Sequence, residues 1–307
     1  MLYLHLKIRG SYKNLQMAMS PIKIKNPKGK LIAIGGAVDK GTAPENNNAE
    51  GNGVKFLEKG ILRRLLEELP GTTNRVEIIT TASKIPEEVG RAYLAAFHLL
   101  ANKNVGLLHI KNKDDAQNPE FLDRIKQAEG VLFTGGDQLR LSKFFGESEF
   151  LNILLDKYQN ENFILAGTSA GAMAMSQVMI SRGSSSEALL KGQVKLTKGL
   201  GFISQVTFDS HFIKRGRFGR LCQTVTTCFP CTGIGLGEDT GLLITNGNHM
   251  EAIGSGLVII VEGDRIKFTN INEIEDGDPI STENLTVHVL SKGYRYILSE
   301  KEMIHNN

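Results

Sequence analysis

The chain has 307 residues, with 36 basic and 33 acidic side chains giving a formal net charge of +3, and an apolar share of 41%. Such values belong to a soluble globular enzyme and exclude a disordered tail or a membrane-embedded chain. A sequence pI of 8.6 also lacks the domain-wide basic surplus, commonly a pI above about 9, on which binding to nucleic acid by bulk charge depends.

The first segment, Met1 to Arg9, alternates apolar and polar residues and offers no continuous apolar stretch before a small-residue cleavage site, so no signal peptide is expected. Residues 1–29 are expected to form an extension of uncertain order, with Met17 and Met19 as alternative starts, and residues 30–307 a single catalytic domain. From Leu31 the pattern becomes regular. Leu31 to Ile34 reads as a buried strand ending in Gly35-Gly36, followed by a Gly/Asn-rich loop from Gly41 to Gly53. Val54, Leu57, Ile61, Leu62, Leu65, Leu66 and Leu69 then mark one helical face that Pro70-Gly71 stops. The alternation repeats: strand over Val76–Thr80, helix over Pro86–Ala101, strand over Val105–Ile110, helix over Pro119–Ala128, strand over Val131–Phe133. After Thr134-Gly-Gly-Asp-Gln138 come helical residues through Lys157 and a strand over Phe163–Ala166. Continuously apolar strands separated by helices predict an α/β fold with a doubly wound, mostly parallel sheet. Beyond about residue 200, short β segments at Gly241–Ile244, Met250–Ile253, Leu257–Val261 and Val287–Leu290 predict a β-rich C-terminal part.

Three cysteines, Cys222, Cys228 and Cys231, crowd into ten residues, which is a poor disulfide framework; reduced thiols are expected. Cys228-Phe-Pro-Cys231 lacks the second ligand pair of a zinc site, so no metal is expected. No apolar run approaches the ~18–20 residues that span a bilayer. A cytoplasmic protein without membrane contact is the resulting expectation.

Ligands of such sheets sit beyond the carboxyl ends of the strands. Gly167-Thr-Ser-Ala-Gly171 is a G-x-S-x-G between a strand and a helix, the setting of a nucleophile elbow. Small neighbours allow the turn that lifts Ser169 out, and the helix start supplies the Ala170 N–H for an oxyanion. Gly135-Gly136 lets backbone come close to a ligand, making the Gly136 N–H a second candidate donor; Gly35-Gly36 is a weaker case of the same kind. A serine nucleophile needs a base and an orienting acid. Of seven histidines, His98 and His109 read as structural or surface residues and His5 and His305 lie in tails. His211 sits in Phe208-Asp-Ser-His-Phe-Ile-Lys-Arg-Gly-Arg-Phe-Gly-Arg-Leu221, too dense in charge to be core, although Lys214 to Arg220 taken alone reads as a solvated face. The acid is Glu238 or Asp239, of which only one can face the imidazole on an extended segment.

Gly167-Thr-Ser-Ala-Gly-Ala172, Gly135-Gly-Asp-Gln138, Asp209-Ser-His-Phe with Arg215, Arg217 and Arg220-Leu221, and Gly235-Leu-Gly-Glu-Asp-Thr240 together resemble the motif set of cyanophycinases. Four separated motifs agree in order and spacing, and the resemblance runs from about Leu31 into the C-terminal strands. It implies a fold akin to class I glutamine amidotransferases and aspartyl dipeptidases, a homodimer, and the triad Ser169, His211 and Glu238. The chain order Ser, His, acid differs from that of α/β-hydrolases and agrees with this assignment. The implied activity is that of a serine-type exopeptidase hydrolysing cyanophycin, multi-L-arginyl-poly-L-aspartate, to β-Asp-Arg dipeptides through an acyl-enzyme, without a cofactor. Gln138, Asp209, Arg215, Arg217 and Arg220 are implied around the substrate, with bracing of the His211 loop as the alternative role for some of the arginines; each cyanophycin repeat offers a guanidinium and a carboxylate for acids and planar cations to bind. A related peptidase acting on small aspartyl peptides is the alternative, and the His-Phe-x-x-Arg-x-Arg-x-x-Arg run from His211 to Arg220 speaks against it. A non-catalytic binding protein on the same fold is a more distant alternative.

Overall fold

The computed structural model describes residues 25–41 and 56–304. Residues 1–24 of the expected extension, Val54 and nearly all of the Gly41–Gly53 loop lie outside the described residues. The chain order is β1 (Lys30–Ile34), α1 (Phe56–Lys59), α2 (Ile61–Glu67), β2 (Val76–Ile79), α3 (Pro86–Leu99), β3 (Val105–Leu108), α4 (Pro119–Gln127), β4 (Gly130–Phe133), α5 (Gln138–Phe145), α6 (Glu149–Asn160), β5 (Ile164–Thr168), α7 (Ala170–Ala174), β6 (Val178–Arg182), β7 (Lys195–Lys198), β8 (Val206–Asp209) and α8 (Phe218–Thr227). The remainder is β: β9 (Thr232–Leu236), β10 (Thr240–Thr245), β11 (His249–Gly254), β12 (Val258–Glu262), β13 (Phe268–Thr269), β14 (Thr282–Glu283), β15 (Thr286–Leu290), β16 (Arg295–Ile297) and β17 (Glu302–Ile304).

A nine-stranded sheet in the order β17-β16-β11-β10-β1-β5-β4-β2-β3 forms the centre. From β1 to β3 all pairings are parallel, and from β1 outward to β17 all are antiparallel. The predicted mixed architecture, parallel first and β-rich later, is the one observed. Because side chains alternate across a strand, Leu31 and Ala33 of β1 pack on one face with Leu141, Phe145, Phe150 and Leu154 from α5 and α6. Ile32 and Ile34 pack on the other with Ile61, Leu65, Tyr93 and Phe97 from α2 and α3. Each fully buried leucine, isoleucine or phenylalanine among them contributes about 1.5–3 kcal/mol. A second sheet, β15-β12-β9-β8, has β8 and β9 parallel, so the chain enters the loop after Asp209 and the loop after Leu236 at the same end.

Several boundaries differ from expectation. Among the described residues, from Phe56 on, the helical face read from Val54 to Leu69 is two helices, since Gly60 is extended (φ −69°, ψ 159°) ahead of α2, and Leu57 is 53% exposed. The helical run to Lys157 breaks where Glu147 turns left-handed (φ 63°) and Ser148 caps α6 through the Leu151 N–H. Cys222, Cys228 and Cys231 are all buried free thiols. Among the described residues no helix is long and apolar enough to cross a membrane, and no group of three or more His, Cys, Asp and Glu side chains could hold a metal ion.

Candidate active site

β1 ends in three consecutive carbonyls, each of which accepts from a different loop. Ile34 C=O takes the Ser169 N–H at 2.8 Å, Gly35 C=O takes the His211 N–H at 2.7 Å, and Gly36 C=O takes the Asp239 N–H at 2.8 Å. One strand end thus gathers the serine turn after β5, the loop after β8 and the loop after β9. At each loop one residue is left-handed: Ser169 at φ 52°, His211 at 49° and Asp239 at 43°. Non-glycine residues hold such angles only where surrounding contacts over-determine them, and they concentrate at functional sites.

The side chains complete the convergence. Ser169 Oγ lies 3.0 Å from His211 Nε2, and His211 Nδ1 lies 2.9 Å from Glu238 Oε1. A carboxylate accepts only, so Nδ1 carries the hydrogen and Nε2 accepts from the serine hydroxyl. Asp239 turns away, its Oδ1 accepting from the Asp39 N–H at 3.1 Å and its Oδ2 from Ser255 Oγ at 3.0 Å; the structure places Glu238 at the imidazole. The other Glu238 oxygen faces Lys214 Nζ at 3.5 Å. Burial lowers the pKa of His211 below its ordinary 6.5, the charges of Arg215 and Arg217 push the same way, and Glu238 resists. Burial tends to raise Glu238, but the hydrogen bond from His211 together with the charges of His211 and Lys214 holds it below the usual carboxylate value. The resting arrangement is a neutral imidazole between a hydroxyl and a carboxylate, which is what removing a proton from Ser169 requires.

Glycines make room for this. A Cβ on Gly36, itself at φ +115°, would stand 2.3 Å from His211 Cε1. Gly167 and Gly171 let strand and helix cross tightly at the elbow, a Cβ on Gly167 falling 2.5 Å from the Gly171 carbonyl carbon. The Gly135 Cα runs beside the nucleophile, since a Cβ there would be 3.4 Å from Ser169 Cβ. Gly136, at φ +144°, packs on Ala82, whose carbonyl accepts from the Asp137 N–H at 2.9 Å. The Gly136 and Ala170 N–H groups donate to no other described residue.

Of the residues implied around the substrate, Gln138 Nε2 donates to the Ile180 and Ser181 carbonyls at 3.0 and 3.2 Å. Asp209 is wholly buried beneath Arg217 and Arg220. Arg215 is exposed on the His211 loop and forms no ion pair with another described residue. Phe212 anchors that loop from below, against Gly235 of β9, where a Cβ would meet its ring at 2.4 Å. The sequence reading did not single out Ser210, whose Oγ lies 3.5 Å from Ser169 Oγ and donates to Met173 Sδ at 3.3 Å. Nor did it find Lys214 at Glu238 or the ordering role of Gly35-Gly36, for which two glycines at a strand end were the only available signal.

An α/β fold whose strand ends assemble a hydroxyl, an imidazole and a carboxylate is that of a hydrolase, here one of the peptidases. The chain belongs to peptidase family S51, which residues 52–252 match. It is 31% identical over 299 residues to a cyanophycinase of Synechococcus elongatus, covering 96% of this chain and 88% of that protein. To a cyanophycinase of Geminocystis herdmanii it is 30% identical over 269 residues, covering 88% and 93%. The crystal structure of a peptidase from an acI-B1 Actinobacterium aligns with a TM-score of 0.57 over 85% of this chain and 98% of that one, at 22% identity, a likeness of fold.

Proposed function

We propose that the protein is a serine-type exopeptidase that hydrolyses cyanophycin to β-Asp-Arg dipeptides through an acyl-enzyme on Ser169. The observation that carries this reading is the unbroken relay from Ser169 Oγ to His211 Nε2 at 3.0 Å and from His211 Nδ1 to Glu238 Oε1 at 2.9 Å, in a chain so similar to cyanophycinases. Ser169 Oγ attacks an aspartyl carbonyl carbon while His211 Nε2 takes its proton. The carbonyl oxygen becomes an oxyanion held by the N–H groups of Gly136 and Ala170. Collapse breaks the C–N bond, and the proton on His211 passes to the leaving amine. Water then attacks the ester, gives a proton to His211, and Ser169 leaves with that proton as the free hydroxyl. Glu238 keeps the imidazole in the tautomer whose Nε2 accepts and stabilises the imidazolium.

Substrate recognition follows from charge. Arg215 presents a guanidinium to solvent beside His211, suited to a free α-carboxylate of the polymer. Gln138, its nitrogen held by the Ile180 and Ser181 carbonyls, turns its amide oxygen to a substrate donor. The test is to offer the purified protein cyanophycin granules and, separately, simple α-aspartyl dipeptides, and to identify products by mass. Release of β-Asp-Arg is expected. Cleavage of α-aspartyl dipeptides alone would overturn the substrate assignment.

A further inference from the structure

We propose that Asp209 is a positioning residue for His211, and that Arg217 and Arg220 complete with it a bracket that fixes the histidine loop in place of binding substrate. The inference rests on the reading of Ser169 as nucleophile and His211 as base. Asp209 ends β8 and is 0% exposed. Its Oδ2 accepts from Arg220 Nε at 2.7 Å. Its Oδ1 accepts from Arg220 Nη2, from Arg217 Nη1 at 3.1 Å and from the Ser210 N–H at 2.9 Å. Four donors thus converge on this carboxylate, three on Oδ1 and one on Oδ2. A guanidinium of the substrate has no path to a group that is 0% exposed.

The bracket closes on a single residue. Arg217 Nη1 also donates to the Ser210 carbonyl at 2.7 Å, so the N–H and the C=O of Ser210 are both held, one by Asp209 and the other by its own ion-pair partner. The next residue is His211 at φ 49°, a conformation that persists only when its flanks are over-determined. Arg220 extends the same clamp through Nη1 to the Gly183 carbonyl at 3.1 Å. Both arginines belong to α8, Arg217 as its N-terminal cap residue and Arg220 in its first turn, so the helix carries the bracket as one piece. Buried ion pairs are costly unless hydrogen-bonded, and here both oxygens of Asp209 accept from Arg220.

The test separates placing His211 from holding substrate. A small uncharged organofluorophosphate phosphorylates an activated serine, releasing fluoride, without using peptide subsites. In Asp209→Asn, labelling of Ser169 and kcat on cyanophycin are expected to fall together by roughly 100-fold, the loss typical of a displaced catalytic group, while KM holds its wild-type value. Labelling at the wild-type rate with a raised KM would overturn the proposal and make Asp209 a substrate ligand. Should Asp209→Asn fail to fold by circular dichroism, Arg217→Met decides by the same two readouts, with the same expected and contrary results. If wild-type protein is not labelled, or Ser169→Ala is labelled equally, the nucleophile assignment fails instead, an outcome distinct from both.

Discussion

In the proposed mechanism His211 must be neutral to take the proton of Ser169, and its burial together with Arg215 and Arg217 favours that form by lowering its pKa below 6.5. A base with a depressed pKa is lost only as the pH falls through that lower value, so the acidic limb of kcat/KM is expected below pH 6.5. Arg215→Met removes one repelling cation, and the limb should move toward higher pH; a pH profile with an unmoved limb would count against the charge coupling. Gly36 offers a second residue-scale test. Gly36→Ala would set a methyl 2.3 Å from His211 Cε1 at a backbone angle of φ +115°, displacing the ring from Ser169. A kcat loss of roughly 100-fold with unchanged circular dichroism is expected. Much at this scale was legible in the sequence: Ser169 from its glycine-flanked turn, His211 from a charge density incompatible with core. The choice between Glu238 and Asp239 rested on the family resemblance alone, because adjacent residues on an extended segment differ only in which side they face. Ser210 gave no signal at all, since nothing in a serine between Asp209 and His211 marks a hydroxyl 3.5 Å from the nucleophile.

Elements were legible where burial was two-sided. Strands β1 to β5 stand out as apolar runs because both sheet faces are covered by helices. Strand β8 escaped notice since it is four residues long and buries Thr207 and Asp209, polar groups that only their partners make tolerable. β9 was obscured by Gly233 and Gly235, which yield space to Leu221 and Phe212. α8 was hidden inside a cationic run: Arg220 reads as surface but is 5% exposed, and the helix buries Thr224 and Thr226 through hydroxyl bonds to the Arg220 and Cys222 carbonyls. The elbow makes a prediction for elements. α7 lies so close to β4 that a Cβ on Gly171 would fall 2.4 Å from the Phe133 carbonyl oxygen. Gly171→Ala should destabilise the fold by about 1–3 kcal/mol through over-packing, measured by urea unfolding; wild-type stability would refute this close crossing.

For the whole molecule, the net charge of +3 conceals local order. Lys214, Arg215, Arg217 and Arg220 lie within one loop and helix start, where Asp209 and Glu238 neutralise part of their charge. The two sheets meet there, since β5 of one and β8 and β9 of the other deliver the serine, histidine and acid loops to three successive carbonyls at the end of β1. Turnover of cyanophycin by Ser169→Ala, compared with wild type at equal folded concentration, tests most directly the proposal that Ser169 is the nucleophile of this assembly. A fall in kcat of roughly 10³–10⁶-fold with retained fold is predicted, and near-normal turnover by the variant would contradict it.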